Sequence, residues 1–235
     1  MNSIQKTSDK IIFTEKVNIS LANAIRRSTD EIPILAISEC DIYKNDSALY
    51  DEIITHRLGL IPLKNQKIKD GEVIEYKFKA KGTGDGVMIM ASELGEDVVY
   101  PETPIVLLGE GQEIELVAKA KAGRGTQHAR FSPGILTYKH LAKISITSEG
   151  EKQTELAELY PEVFEMFGEK IKVKDAAACE LDQEDMESYP GVTIKFDDDL
   201  VFTIESWGQI EAKEIFTESC KALKGNLSEV LKAIK

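Results

Sequence analysis

The residues with the clearest capacity for chemistry are three consecutive aspartates at positions 197–199 and the nearby Glu205. Clustered carboxylates of this kind hold catalytic magnesium ions in phosphatases and nucleases. The run lacks the interleaved glycine of a catalytic aspartate loop, and segments rich in β-forming residues flank it at 192–196 and 200–205. An acidic turn of a β-hairpin is therefore the interpretation that we favour, and a metal site is the alternative.

The three histidines, His56, His128 and His140, are the other candidates for ligands or bases. No cysteine or histidine lies at zinc-ligand spacing from His56 or His128. The chain also has no Gly-x-Ser-x-Gly motif and no Ser or Cys arranged with a base for nucleophilic catalysis. We therefore expect structural or interface histidines.

Composition narrows the class of protein further. The 235 residues are 42% hydrophobic and 30% charged, which is typical of a globular protein with a substantial core. The chain has a formal net charge of −12 and lacks the basic surface that is typical of nucleic-acid-binding proteins. We therefore expect no direct sequence-specific DNA binding.

Targeting signals and cysteine usage indicate the compartment. No apolar run approaches the roughly 20 residues of a membrane span, and residues 1–8 lack the apolar core of a secretory signal. The cysteines at positions 40, 179 and 220 are widely spaced and odd in number, which argues against a disulfide framework. We expect a cytoplasmic protein without membrane contact.

The first 45 residues predict a strand, a helix and a second strand. Residues 10–17 are rich in β-formers, and Ser20 is a suitable helix N-cap. The apolar stripe that follows, broken once by Ser28, includes Leu21, Ile25 and Ile32, and Pro33 prevents the helix from continuing. Residues 34–43 are expected to be extended.

The middle of the chain is predicted to be β-rich and its end helical. Strands are expected at 72–81, 87–91, 105–108, 114–120 and 135–146. An acidic region follows with a helix near 154–167, and then the hairpin around residues 197–199. A C-terminal helix is expected at 209–223, with an interruption at 225–226 and a last helical stretch at 227–234, because apolar residues recur there every three or four positions.

Four sequence motifs, which occur along the chain in the order typical of one family, indicate a resemblance to that family. Residues 51–63 (DEIITHRLGLIPL) resemble the signature of the D-type subunit of archaeal RNA polymerase, the counterpart of the third-largest eukaryotic subunit and of the bacterial alpha N-terminal domain. Residues 21–28 (LANAIRRS), 125–133 (GTQHARFSP) and 202–208 (FTIESWG) resemble further motifs of this family. The likeness spans about residues 20 to 210.

The resemblance implies an α+β fold with a discontinuous dimerisation domain made of residues 1–43 and 197–235. A β-rich domain (44–147 and 191–196) would be inserted into it, together with a ferredoxin-like insert (148–190). The function implied is that of a non-catalytic assembly platform of DNA-directed RNA polymerase. Its partners would be the small L-type subunit, the N- and P-type subunits, and the second-largest and largest catalytic subunits.

Two competing functions stay open. The first is a homodimeric scaffold similar to bacterial alpha, and the second is a free enzyme with an acidic metal site. The adjacent Arg26 and Arg27 could contact a phosphate or could be a solvent-exposed pair. The resemblance favours a third interpretation, a contact with another subunit. The residues expected at subunit interfaces are Leu21, Asn23, Ile25, Arg26, Arg27, Ile32, His56, Arg57, Arg124, His128, Arg130, Phe131, Ile215, Leu223, Leu227 and Leu231.

Many members of this family carry iron–sulfur clusters in the ferredoxin-like insert, with ligands spaced C-x2-C-x2-C-x3-C-P. Here that spacing falls on Cys179, Asp182, Asp185 and Tyr189, followed by a proline, so only the first ligand remains. A second copy of the spacing begins at residue 150 and has no cysteine at all. We therefore expect no cofactor.

Overall fold

The computed structural model describes residues 2–66 and 71–234, with side chains from residue 5 onward. Helices and strands are mixed along the chain, which confirms the α+β prediction. The helices are α1 (Ile19–Ser28), α2 (Asp51–Gly59), α3 (Glu155–Leu159) and α4 (Ala212–Ala233). Within the described residues, none of them is both long and apolar enough to cross a membrane.

The strands form small sheets and hairpins. The strands are β1 (Asn2–Lys6), β2 (Lys10–Glu15), β3 (Ile34–Asn45), β4 (Ile74–Lys81), β5 (Val87–Met90), β6 (Pro104–Leu108), β7 (Glu113–Gly123), β8 (Gly134–Ile146), β9 (Phe164–Phe167), β10 (Lys170–Val173) and β11 (Val192–Ser206). A four-stranded sheet has the strand order β1-β2-β11-β8, and a three-stranded sheet has the order β3-β7-β4. Two further sheets are two-stranded, β5-β6 and β9-β10.

The chain forms two compact units, and both are discontinuous in sequence. One comprises residues 2–6, 11–22 and 137–203, and the other comprises 7–10, 23–136 and 204–234. The three-part domain division expected from the sequence stays a prediction, and its outer limits, residues 1 and 235, lie outside the described residues.

The larger unit has its core between α2 and the three-stranded sheet. Ile54 and Leu58 of α2 are fully buried and belong to one cluster with Leu35 and Ile37 of β3. Along β4, exposed residues alternate with more buried ones, and Tyr76 and the neighbouring even-numbered apolar residues are on the buried side. The signature segment is therefore anchored in the core by its helix.

The acidic region differs from its prediction. A helix was expected near 154–167, but α3 ends at Leu159 and residues Phe164–Phe167 form β9, which pairs antiparallel with β10. Pro161 cannot continue the hydrogen-bonded helix, and the apolar residues beyond it find a strand partner instead. The prediction of a helix as far as residue 167 was therefore wrong.

The prediction of an acidic hairpin was also wrong, because β11 runs through residues 197–199 as one strand. Lys143 of β8 pairs with Asp197 at 2.6 Å, and Lys16 pairs with Asp198 at 3.6 Å. These lysines are contributed by other segments of the chain, so the local sequence predicted a turn where charge pairing allows a strand.

The C-terminal helix was predicted in two pieces and is continuous as α4. A glycine inside a helix costs only about 1 kcal/mol relative to alanine, which is too little to end a helix of this length. Gly225 therefore lies within the helix, and the apolar stripe on either side of it stays in phase.

Candidate subunit-interface surface

The two halves of α4 have different surroundings. In the first half, Ala212, Ile215 and Ser219 are fully buried in the chain's own core. Ser219 also shares a buried hydrogen bond with Thr29, with 3.0 Å between the two hydroxyl oxygens. The first half is therefore held in place by its own unit.

The second half of α4 presents an exposed apolar stripe. Leu223 is half-buried, and beyond it Leu227, Val230 and Leu231, together with Ile234 directly after the helix, are 56%, 54%, 63% and 78% exposed. Their spacing of three and four residues continues the stripe that is buried in the first half. An apolar face of this kind, on a helix that extends past its own core, is typical of a protein–protein interface.

Helix α1 begins two residues earlier than predicted. The side-chain oxygen of Asn18 accepts a hydrogen bond from the backbone N–H of Ser20 at 2.8 Å, so Asn18 supplies the capping interaction that was predicted for Ser20. Ile19 is consequently part of the helix, and it is 51% exposed alongside Leu21 at 48%.

The other predicted residues of the N-terminal segment divide into buried and exposed ones. Ile25 and Ile32 are buried in the chain's own core. Arg26 and Arg27 are exposed, and the guanidinium of Arg26 donates to the side-chain oxygen of Asn23 at 3.0 and 3.2 Å. A charge introduced at Ile25 would therefore test folding before it tested pairing.

Helix α2 is connected to its surroundings by its arginine. Arg57 donates from Nη1 to the carbonyl oxygen of Ile105 at 2.6 Å. The preceding residue, His56, is exposed. Tyr50 occupies the N-cap position of this helix and makes no side-chain capping hydrogen bond.

Arg130 crosses the C-terminal end of α2 and ties the loop of residues 123–133 to β3. Its Nη1 donates to the carbonyl oxygens of Ile37 and Ser38 at 2.9 and 3.3 Å. A Cβ atom at Gly59 would come within 3.0 Å of that nitrogen, so a glycine at this position leaves room for the guanidinium. His128 accepts from both Nε and the backbone N–H of Arg130 at 3.2 Å.

The same loop is fixed at its other end. Phe131 is buried against Gly123, where a Cβ atom would lie 2.7 Å from the ring. Arg124 lies 3.5 Å from a carboxylate oxygen of Glu31. The loop is therefore an ordered surface, in contrast to a solvated connector.

Asp197 and His140, which were considered for catalysis, make contacts within the chain. Lys143 lowers the pKa of Asp197, and His140 Nδ1 lies 2.8 Å from the backbone oxygen of the same aspartate. Across residues 2–66 and 71–234, no group of three or more His, Cys, Asp or Glu side chains is placed to hold a metal ion.

The positions with cluster-ligand spacing contribute instead to an apolar core. Leu156 and Cys179 are buried in it, and Tyr160 and Tyr189 pack against it. Burial raises the pKa of the Cys179 thiol, whereas a cluster ligand must be a thiolate. These residues do not fit an iron–sulfur cluster.

The two aspartates with the same spacing, Asp182 and Asp185, have a local structural role. The backbone N–H groups of Glu184 and Asp185 donate to Asp182 at 2.8 and 3.2 Å, and Asp185 accepts from the backbone N–H of Asp182 at 2.8 Å. They close a turn through their own backbone.

On α1 and along residues 227–234, three exposed apolar residues were not among the predicted interface residues. Val230 and Ile234 share the stripe of α4, and helical spacing alone would have included them. Ile19 was missed because the helix start was placed two residues too late.

The sequence is similar to one described family across most of its length. Residues 12–227 match the RNA polymerase Rpb3/Rpb11 dimerisation domain. DNA-directed RNA polymerase subunit Rpo3 of Pyrococcus horikoshii is 34% identical over 90% of this chain and 88% of its own length. The Rpo3 subunits of Thermococcus kodakarensis (34% identity, 94% and 92%) and Methanocaldococcus jannaschii (30%, 98% and 93%) are also similar. The chain therefore belongs to the Rpb3/Rpb11 dimerisation-domain family of RNA polymerase subunits, as an archaeal Rpo3-type (D-type) member.

Proposed function

We propose that the chain is a non-catalytic assembly platform of DNA-directed RNA polymerase that pairs with the small L-type subunit through α1 and the second half of α4. The observation that carries the proposal is the exposed stripe of Leu227, Val230, Leu231 and Ile234, which continues a buried stripe on the same helix. Full burial of a leucine or valine side chain contributes about 1.5–3 kcal/mol, so covering the exposed parts of these four side chains would favour pairing.

The pair would then recruit the large subunits. The family resemblance assigns the loop of residues 123–133 to the second-largest subunit, and the N-type, P-type and largest subunits to the completed platform. The ordered state of this loop supports the assignment, because a preorganised surface loses little conformational entropy on binding.

The insert is proposed to act without a cofactor. The apolar core around Leu156 and Cys179 replaces the metal as its source of stability. Protein purified without oxygen should contain no stoichiometric iron or acid-labile sulfide, and finding both at cluster stoichiometry would overturn this assignment.

The cellular location that we propose rests on the cysteines, the relatives and the charge of the chain. We place the chain in the cytoplasm, since its cysteines are free and its relatives are archaeal polymerase subunits. Its net charge of −12 favours contacts with proteins over direct contacts with nucleic acid.

The test is co-expression of the tagged chain with the L-type subunit, followed by native mass measurement of the purified product. The proposal predicts a 1:1 heterodimer and an isolated chain that associates poorly with itself. A stable homodimer that is indifferent to the L-type subunit would favour the alpha-like scaffold instead.

A further inference from the structure

Helix α4 carries two lysines along one flank of its apolar stripe. An α-helix turns by about 100° per residue, so Lys213 and Lys224 lie about three turns apart on the same flank, in line with Leu227 and Leu231. The glutamates of the helix, at positions 214, 218 and 229, lie across the helix from the stripe together with its other lysines. The flank that borders the stripe is therefore cationic, in a chain whose net charge is −12.

The two lysines of this flank have no acidic partner within the described part of the chain. The positions three and four residues from Lys224 hold a cysteine, a lysine, a leucine and a serine, so no carboxylate is within reach on the helix. Neither lysine forms an ion pair with the described residues. Lys221, on the other side of the helix, differs from them because it pairs with Glu218 at 2.7 Å.

The hydroxyl groups beside these lysines are already used within the helix. Thr217 donates from its hydroxyl group to the carbonyl oxygen of Lys213 at 3.1 Å, and Ser228 donates in the same way to that of Lys224 at 2.7 Å. The ammonium groups are therefore the donors that this flank offers to another chain.

The position of Lys224 links its charge to the exposed stripe. It precedes Leu227 by three residues and Leu231 by seven, so the three exposed side chains stand in one row on the helix surface. A chain that covers the two leucines also covers the methylene stem of Lys224 and leaves its ammonium group at the rim of the contact. A carboxylate of the partner is attracted at that rim, and a cation is repelled.

We propose that Lys224 is a specificity-determining residue for pairing with the L-type subunit, and that its ammonium group pairs with a carboxylate of that subunit. Lys213, about 16 Å along the helix, favours a second acidic group on the same side of the partner. The inference rests on the proposed function and deepens it, because it names the charge that the partner carries beside its apolar face. Since the chain as a whole is acidic, this cationic flank also selects the orientation in which the partner binds.

The test measures the affinity of the full-length chain for the L-type subunit by calorimetric titration at low and at high ionic strength. Lys224→Met keeps an apolar stem and removes the charge, and it should weaken pairing about two- to fivefold at low ionic strength. Lys224→Glu should weaken pairing roughly 3- to 30-fold, since two carboxylates would then face each other. Both losses should shrink at high ionic strength, because mobile ions screen exposed charges.

Lys77→Glu is the matched control, because it changes the net charge by the same amount as Lys224→Glu. Lys77 is exposed on β4, outside α4, and forms no ion pair with the described residues. Its variant should pair with the L-type subunit as tightly as the unmodified chain does.

The results separate this inference from the proposed function. Losses for both Lys224 variants that shrink at high ionic strength, with Lys77→Glu unchanged, would support the pairing of Lys224 with a carboxylate. Unchanged affinity for the Lys224 variants, an equal loss for Lys77→Glu, or a loss that is the same at both ionic strengths would overturn it and leave the platform function standing. If the unmodified chain fails to pair with the L-type subunit, the platform function fails and this inference fails with it.

Discussion

Replacing Leu231 with alanine isolates the contribution of the exposed stripe on α4. The side chain is 63% exposed in the isolated chain, so its removal takes little away from the chain's own core. Alanine also has the highest helix propensity, and the helix should remain intact. The free energy of unfolding of the isolated chain should change by no more than about 0.5 kcal/mol.

Pairing should respond much more strongly than stability. Full burial of a leucine contributes roughly 1.5–3 kcal/mol, so burying the 63% that is exposed contributes about 1–2 kcal/mol. That corresponds to a dissociation constant for the L-type subunit raised about 5- to 30-fold. Leu231→Asp should prevent measurable pairing, because a carboxylate would be desolvated without a partner.

Calorimetric titration of the purified chain with the L-type subunit measures this effect. Leu159→Ala is the matched control, because Leu159 is 53% exposed and lies on another helix, α3. Wild-type affinity for Leu231→Ala, or an equal loss for Leu159→Ala, would refute the assignment of the interface to the second half of α4.

Three further changes test other parts of the account. Gly225→Ala should raise the free energy of unfolding, measured in a denaturant titration, by up to about 1 kcal/mol, because alanine favours the helix more than glycine does. The added Cβ atom would meet nothing within 4 Å. A decrease would show that the helix is interrupted. Ser219→Ala should lower that free energy by about 1–3 kcal/mol by leaving the buried hydroxyl of Thr29 without its partner; no change would mean that this contact does not hold α4. Two neighbouring lysines lower the pKa of Glu113 from 4.5 to about 2, so its stabilising effect is complete above pH 4.5 and disappears as the pH falls to 2. The stability difference between the unmodified chain and Glu113→Gln should follow that course, and a difference that persists at pH 2 would contradict it.

Local patterns in the sequence predicted much of the fold. The strand predicted at residues 72–81 contains β4, on which Tyr76 and its even-numbered neighbours are on the inner side, and the strands predicted at 87–91, 105–108, 114–120 and 135–146 correspond to β5 to β8. The signature string at residues 51–63 contains α2, which ends at Gly59. These features depend on residues that are near each other in the chain.

The features that were missed depend on residues that are far apart in the chain. The hairpin at residues 197–199 was wrong because Lys143 and Lys16, which pair with the aspartates, come from other segments. Burial of Ile25 and Ile215 in the chain's own core likewise could not be separated from burial by a partner, since both give the same apolar spacing.

The second half of α4 shows the same limit more strongly. Lys224 is an ordinary charged residue in the sequence, and only the folded chain reveals that it has no ion-pair partner among the described residues. Its neighbours Leu227 and Leu231 belong to the predicted apolar stripe, but their exposure depends on where the chain's own core ends. Surfaces that a second chain completes are therefore the part of function that sequence patterns conceal.

Affinity capture of the tagged full-length chain from its native cell extract, with the bound proteins identified by mass, tests the central claim most directly. The platform function predicts recovery of the two very large polymerase subunits together with the small L-type partner. Recovery of the tagged chain alone, or only with further copies of itself, would contradict that function.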